Sequence, residues 1–223
     1  MNKQLFILLL LLLLSAFPVR GQKTVALSAT ASPTFSRTYY RYRYFYPESD
    51  GQIVEPVYLN GNRWLSGHCA GLSIIFNYAP GWSVSSGVWF EQLSIRQDRQ
   101  PAAGPGVITL RNRVIRVPVY LNYASSTKRL SPYFSLGFLV DLPITSRMVV
   151  QRDGESTQYL RLTVPLRPIF HLAVGAGIRY KLAERYTIMT QPTWAYKLGQ
   201  FGSSSTYDSS FELGLLTQLA YTF

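Results

Sequence analysis

The stretch Phe211–Phe223, FELGLLTQLAYTF, alternates with a period of two. Phe211, Leu213, Leu215, Thr217, Leu219, Tyr221 and Phe223 fall on one face, and Glu212, Gly214, Leu216, Gln218, Ala220 and Thr222 on the other. Such alternation describes a β-strand with two unlike faces. The sequence ends on this strand, and chain ends fray unless something ties them down. A strand so placed needs partners on both edges and an apolar surrounding for its last ring. A closed ring of strands in a membrane meets both needs.

Seven further segments alternate in the same way: Thr24–Phe35, His68–Tyr78, Trp82–Ile95, Arg113–Ala124, Pro132–Ile144, Leu162–Lys181 and Tyr186–Leu198. Helical periodicity fits none of them as well. Segments two and three, four and five, and six and seven are joined tightly, by APG, SSTKRLS and LAER. The other connections are long and polar, the first running from Ser36 to Gly67. Short turns at one end and long loops at the other mark an outer-membrane barrel, and an even strand count puts both termini at the short-turn, periplasmic end. The expected fold is therefore all-β: an eight-stranded antiparallel up-and-down transmembrane barrel with long extracellular loops. Tyr78, Trp82, Tyr123, Tyr180, Tyr186, Tyr221 and Phe223 gather at the short-turn end as an aromatic girdle, with Trp194 and Tyr196 in the outer one.

The N-terminus fits this setting. Lys3 precedes an unbroken apolar run, Leu5–Leu14, and then SAFPVRGQ. A basic start, a short apolar stretch and small residues before a polar start describe a secretory signal, too short for a comfortable membrane helix. Cleavage after Gly21 is expected, giving residues 1–21 as signal peptide and 22–223 as one barrel domain. The mature chain then has 202 of the 223 residues; without Lys3 and Arg20 its formal charge falls from +11 to +9. It has no apolar run of helix-spanning length, and the near-zero mean hydropathy of the whole 223-residue chain, +0.04, suits strands with one lipid face and one polar face. A single cysteine, Cys69, excludes an intrachain disulfide and reads as a small residue inside a strand.

The inward positions carry Glu91, Arg116, Asp141, Arg179, Lys197 and Glu212, three acids and three bases. An eight-stranded barrel is just wide enough to be filled by side chains. These six are expected to pair and plug the lumen, since charges in a low-dielectric interior must be paired or hydrated. His68 lies near the outer mouth and His171 faces the lumen, but neither sits in a nucleophile motif. No group of carboxylates and histidines has metal-ligand spacing, so neither a metal nor a cofactor is expected. Gly175–Gly177 lacks a following helix and reads as close strand packing.

In RTYYRYRYFY, Arg37–Tyr46, basic and aromatic residues interleave. That pattern can serve base stacking, but an exterior position gives nucleic acid no reason to occur. If the register of the first segment continues, Arg37, Arg41 and Arg43 point outward at headgroup level, against phosphates of outer-leaflet glycolipid, while Tyr40, Tyr42 and Tyr44 point inward. Pro33 is the weak point, because a bulge there would swap the two faces.

The stretches RVIRVPVYLNY (Arg113–Tyr123), SPYFSLGFLVDL (Ser131–Leu142) and LAVGAGIRYKLAERYTI (Leu172–Ile188) resemble the PorT-like outer-membrane β-barrel family. That resemblance implies a small eight-stranded barrel in the outer membrane of a Gram-negative bacterium, with no defined activity. Tyr221 and Phe223 resemble the signal read by the barrel-assembly machinery. Three roles follow as expectations. The first is a monomeric structural or binding barrel whose loops contact glycolipid or an envelope or extracellular partner. The second is a narrow pore or transporter. The third, a lipid-modifying enzyme, needs an exposed histidine paired with an acid near the outer mouth.

Overall fold

The computed structural model describes residues 24–45, 57–99, 105–152, 154, 156–162, 167–200 and 210–223. The signal-peptide reading lies outside them. The strands are β1 Thr24–Phe45, β2 Val57–Ala79, β3 Trp82–Asp98, β4 Gly106–Ala124, β5 Leu130–Arg152, β6 Gln158–Leu162, β7 Ile169–Lys181, β8 Tyr186–Gln200 and β9 Ser210–Thr222. They follow the order β4-β3-β2-β1-β9-β8-β7-β5, and β4 pairs with β5 to close an eight-stranded ring. Every pairing is antiparallel. β9 pairs with β8 on one side and β1 on the other, so the C-terminal strand has both edges satisfied.

The sixth expected segment, Leu162–Lys181, is corrected: it is two elements. β7 leaves the edge of β5 at Asp141, and β6 takes up the same edge over Ser146–Val150. The long polar loops are corrected too. β1, β2 and β5 run for 22, 23 and 23 residues, so much of the expected loop is strand. A tilted membrane crossing takes about 9–11 residues. The upper parts of these strands therefore stand clear of the bilayer.

The outward face of the lower ring is an apolar band. Val25, Leu27, Leu72, Ile74, Val88, Phe90, Val119, Leu121, Leu136, Phe138, Leu215 and Leu219 are all exposed. Exposed aliphatic surface of this extent is tolerable only in hydrocarbon. Aromatic rings frame it below, where Trp82 lies 4.7 Å from Tyr123 and Tyr186 lies 5.2 Å from Tyr221. Above, Trp194 stacks on Tyr196 at 6.0 Å, and Trp64 meets Phe211 edge-on at 6.0 Å.

Two irregularities set the phase of the strands. Pro33 stays in register opposite His68, and the β1 bulge falls between Tyr40 and Arg43 instead. On β5, Val114 pairs with Pro143 but Arg113 pairs with Thr145, which leaves Ile144 as an extra residue. Below it, Leu142 and Ile144 face out; above it, Ser146 and Met148 are buried and Arg147 is exposed. One inserted residue thus exchanges the faces of β5.

Inside the ring, Gly71 lies directly opposite Trp89, Gly137 opposite Tyr120 and Gly177 opposite Tyr133. A Cβ at Gly71 would stand 2.6 Å from Trp89 Cδ1, and one at Gly137 would stand 2.7 Å from Tyr120 Cδ1. Each ring lies flat over bare backbone, which is how two such bulky groups fit in so narrow a lumen. Gly71→Val is expected to evict the Trp89 indole and destabilise the barrel by about 1–3 kcal/mol. Urea unfolding from lipid vesicles measures this, and a midpoint equal to that of the unaltered protein would refute the packing argument.

Candidate functional site

At mid-height the lumen is organised around Arg116 on β4. Its Nε donates to Asp141 Oδ1 at 2.6 Å and its Nη2 to Oδ2 at 2.7 Å, a forked pair with the directly opposed residue of β5. Nη1 donates to Glu91 Oε1 at 2.8 Å, and Nη2 lies 2.9 Å from Glu212 Oε2. All four residues are buried. One planar guanidinium with five donors can serve three carboxylates at once; a lysine could not.

The structure brings together four of the six expected lumen charges. Arg179 is corrected out of the network: it sits near the short-turn end, where its Nη2 donates to the Ser126 carbonyl at 2.8 Å. Lys197 is half-buried and pairs in register with His171. The centre is therefore not the balanced set of three acids and three bases. It is three acids on one arginine, with the buried His171 lying beside two of them. The imidazole is buried, with Nδ1 3.5 Å from Asp141 Oδ2 and Nε2 3.8 Å from Glu212 Oε1.

His171 is the residue that sequence reasoning missed as a partner. Asp141, His171 and Glu212 offer ligand atoms that all lie within 4.8 Å of one another, contrary to the expectation that no such group forms. Their sequence separations hide this. The register reveals it, since Asp141 pairs with Ile169, His171 with Lys197 and Ala195 with Glu212. These donors could hold a divalent cation in type, but both carboxylates are already committed to Arg116. Their first role is to position that guanidinium.

Around the cluster the lumen is filled. A cavity of about 30 Å³ bordered by Cys69, Trp89, Arg116, Thr193 and Glu212 has room for little beyond a water molecule or two. Below, Trp89 Nε1 donates to Ser73 Oγ at 2.8 Å, Asn122 Nδ2 to Ser85 Oγ at 3.0 Å, and Ser135 Oγ to Gln191 Oε1 at 3.0 Å. Above the cluster the interior changes character. Tyr40, Val57, Leu59, Leu65, Ile95, Ile108, Leu110, Met148, Val150 and Leu162 form one buried apolar core inside the upper strands.

On the outer surface, Arg37 is half-buried and lies between Trp64 of β2 and Phe211 of β9 in one cross-strand row. Its guanidinium stands over the Trp64 ring, 5.8 Å from the centroid. Tyr40 points inward, as the continued register requires. The side chains of Arg41 and Arg43 lie outside the described residues. His68 is exposed on the outward face, and no acid contacts it among the described residues. Phe223 is exposed, its N–H donates to the Val25 carbonyl at 3.1 Å, and its ring meets Tyr221 edge-on at 5.3 Å.

A closed antiparallel ring with an apolar outer band, two aromatic girdles, a polar side-chain network inside and short turns at one end is an outer-membrane β-barrel. Solved structures that this chain resembles are outer-membrane proteins. Neisserial surface protein A superposes with a TM-score of 0.49 at 11% identity, over 91% of this chain and 100% of that one. The attachment invasion locus protein of Yersinia pestis, in complex with a heparin analogue, gives 0.42 at 14%, over 91% and 100%. A major outer membrane protein of Thermus thermophilus gives 0.45 at 13%, over 91% and 100%. No protein-family model and no curated protein matches the sequence.

Proposed function

We propose that this barrel is a non-enzymatic surface-binding protein of the outer membrane, of the PorT-like kind its sequence resembles, working through its outer face and its upper extensions. The observation that carries this reading is the filled interior. The Arg116 cluster closes the lumen at mid-height, and the apolar core of Leu59, Ile108 and Met148 closes it above. A hydrated ion does not cross a packed aliphatic core. The histidine geometry argues against a lipid-modifying site: His171 has acids beside it but is buried, and His68 is exposed without one. The partner at the outer face is phosphate-bearing glycolipid, with Arg37 at headgroup height. Beyond the β1 bulge Arg43 pairs with Leu59 of the inner core, so the outward position expected for Arg43 is corrected and only Arg37 is assigned to the contact. Tyr221 and Phe223 serve as the contact for the barrel-assembly machinery. The barrel acts as a monomer, its ring being closed without help from a second chain.

Purified protein in planar bilayers should give no steady conductance steps; reproducible single-channel events would replace this reading with a pore. Arg37→Gln should cut co-purifying glycolipid phosphate severalfold while leaving heat-modifiable migration intact, because a forked contact to phosphate would be lost. Unchanged phosphate content would remove Arg37 from the contact.

A further inference from the structure

We propose that the short-turn end of the barrel binds the headgroup of an anionic phospholipid of the inner leaflet, through Lys128 and Arg129 of the β4–β5 turn and Lys181 of β7. This goes beyond the outer-face reading and involves neither glycolipid nor Arg37. The β2–β3 turn takes residues 80–81 and the β7–β8 turn 182–185, while the β4–β5 turn takes 125–129. The longest of the three is also tied down. Within it the Lys128 N–H donates to Ser126 Oγ at 3.3 Å, and the Ser126 N–H to Ser131 Oγ at 3.0 Å. From β7, Arg179 Nη2 donates to the Ser126 carbonyl at 2.8 Å and Lys181 Nζ to the Thr127 carbonyl at 3.1 Å. The Lys181 N–H donates to the Arg129 carbonyl at 2.8 Å, and Arg129 Nε to the Lys181 carbonyl at 3.3 Å. The turn therefore holds its cations in place instead of trailing them in solvent.

These bonds leave the cationic heads with donors to spare. Arg129 uses Nε alone; its Nη1 and Nη2 have no hydrogen-bond partner among the described residues, and neither has the Lys128 ammonium. Lys181 Nζ carries three protons and bonds Thr127 with one. Acids are scarce at this end. Among the described residues Glu184 of the β7–β8 turn is the only one there, exposed and in no ion pair with them. Glu91, Asp98, Asp141 and Glu212 all lie at mid-height or above. Residues 1–23 contain no acid, and the other undescribed segments join strands at their opposite ends. Phe223 lies on β9 beside Val25 of β1, two strands from β7. Arg185, the other base of the β7–β8 turn, donates to the Tyr221 hydroxyl at 3.2 Å.

The depth of the cations identifies the anion. The Arg129 guanidinium stands over the Tyr180 ring, 5.1 Å from its centroid. Tyr180 ends the outward column of β7, below the exposed Val174 and Ile178. Leu130, its register partner, and Leu182, two positions further on, are exposed as well. A ring at this place marks the boundary between acyl chains and headgroups. The leucines thus meet acyl chain, while the guanidinium and the two ammoniums meet phosphate, which arginine grips through a fork. A zwitterionic headgroup would bring its own cation into a site that already holds three. An anionic one, such as that of phosphatidylglycerol, does not, and basic side chains beside a bilayer favour such lipid. The patch is one-sided, since the β2–β3 turn, Ala79–Trp82, carries no charge.

The test places the intact barrel in nanodiscs of phosphatidylethanolamine with a minor share of phosphatidylglycerol and no glycolipid, and counts retained lipid by native mass spectrometry. The unaltered protein should retain phosphatidylglycerol in preference. Lys128→Gln with Arg129→Gln should lower that preference about 25-fold, at about fivefold for each cation beside an anionic surface. Lys128→Gln alone, which removes a side chain that bonds nothing in the turn, should lower it about fivefold. Arg185→Gln, outside the site, should leave it unchanged. Unchanged preference in both glutamine variants of the site, with heat-modifiable migration intact, overturns the proposal. An equal loss in Arg185→Gln also overturns it, because net charge alone would then set the preference. So does complete displacement of the lipid by free glycerol phosphate, which would make the turn a site for soluble anions.

Discussion

Arg116→Met is expected to prevent the barrel from reaching its native heat-modifiable form. The substitution leaves Glu91, Asp141 and Glu212 buried around an aliphatic side chain. Removing one partner of a buried ionic network costs about 3–5 kcal/mol, because the charges left behind have neither water nor a counter-ion. Such a loss is a large fraction of the stability of an ordinary domain. The same physics predicts a rescue. Adding Glu91→Gln, Asp141→Asn and Glu212→Gln to Arg116→Met should restore folding, since the uncompensated charge is then gone. Band-shift migration and urea unfolding of the single and quadruple variants in lipid vesicles check both halves. A single variant as stable as the unaltered protein would show that the arginine is not what holds the three acids in place.

Leu59→Ala combined with Met148→Ala should loosen the upper strands without disturbing the membrane ring. Both side chains are almost fully buried, Leu59 at 0% and Met148 at 1% exposure, in the apolar core above the charge cluster. Each truncation of this kind costs about 2–5 kcal/mol where the surroundings cannot collapse. Hydrogen exchange should therefore accelerate at Val57–Leu65 and Gly106–Leu110, while amides near Leu72, Val88 and Leu121 keep their protection. Heat-modifiable migration should persist. Uniform acceleration around the whole ring would mean that the two levels are one cooperative unit.

The ring itself was legible in the sequence, and the reason is the bilayer. Lipid outside and packed side chains inside impose a strict period of two. Phe134, Leu136 and Phe138 display it, and all three face out. What escaped was the upward continuation of the strands. On β4 the apolar positions are Ile115, Val119 and Leu121 facing out below, but Leu110 and Ile108 facing in above. The strand does not stop; its oily side moves from outside to inside, and alternation read in a fixed phase ends there. On β5 the expected segment stops at Ile144, the inserted residue that shifts the phase. The six lumen charges were legible as inward positions, yet their pairing was not. Which of them meet depends on relative strand stagger, so Arg179 fell at the wrong height and His171, neutral in the charge count, was passed over.

The change of polarity along the strands means that the molecule answers to two solvents at once. Its lower part is an object whose good surroundings are acyl chains, and its upper part is an object whose good surroundings are water, with its own aliphatic centre. Bilayer thickness acts on the first through mismatch with the apolar band. Urea and excluded salts act on the second through the hydration of Leu59, Ile108 and their neighbours. A thicker or thinner membrane therefore acts first on the ring, and a change of aqueous solvent first on the platform above it. Any strain of the ring reaches the surface presented to the outside only through the strands that the two levels share, β1, β2, β4 and β5 among them.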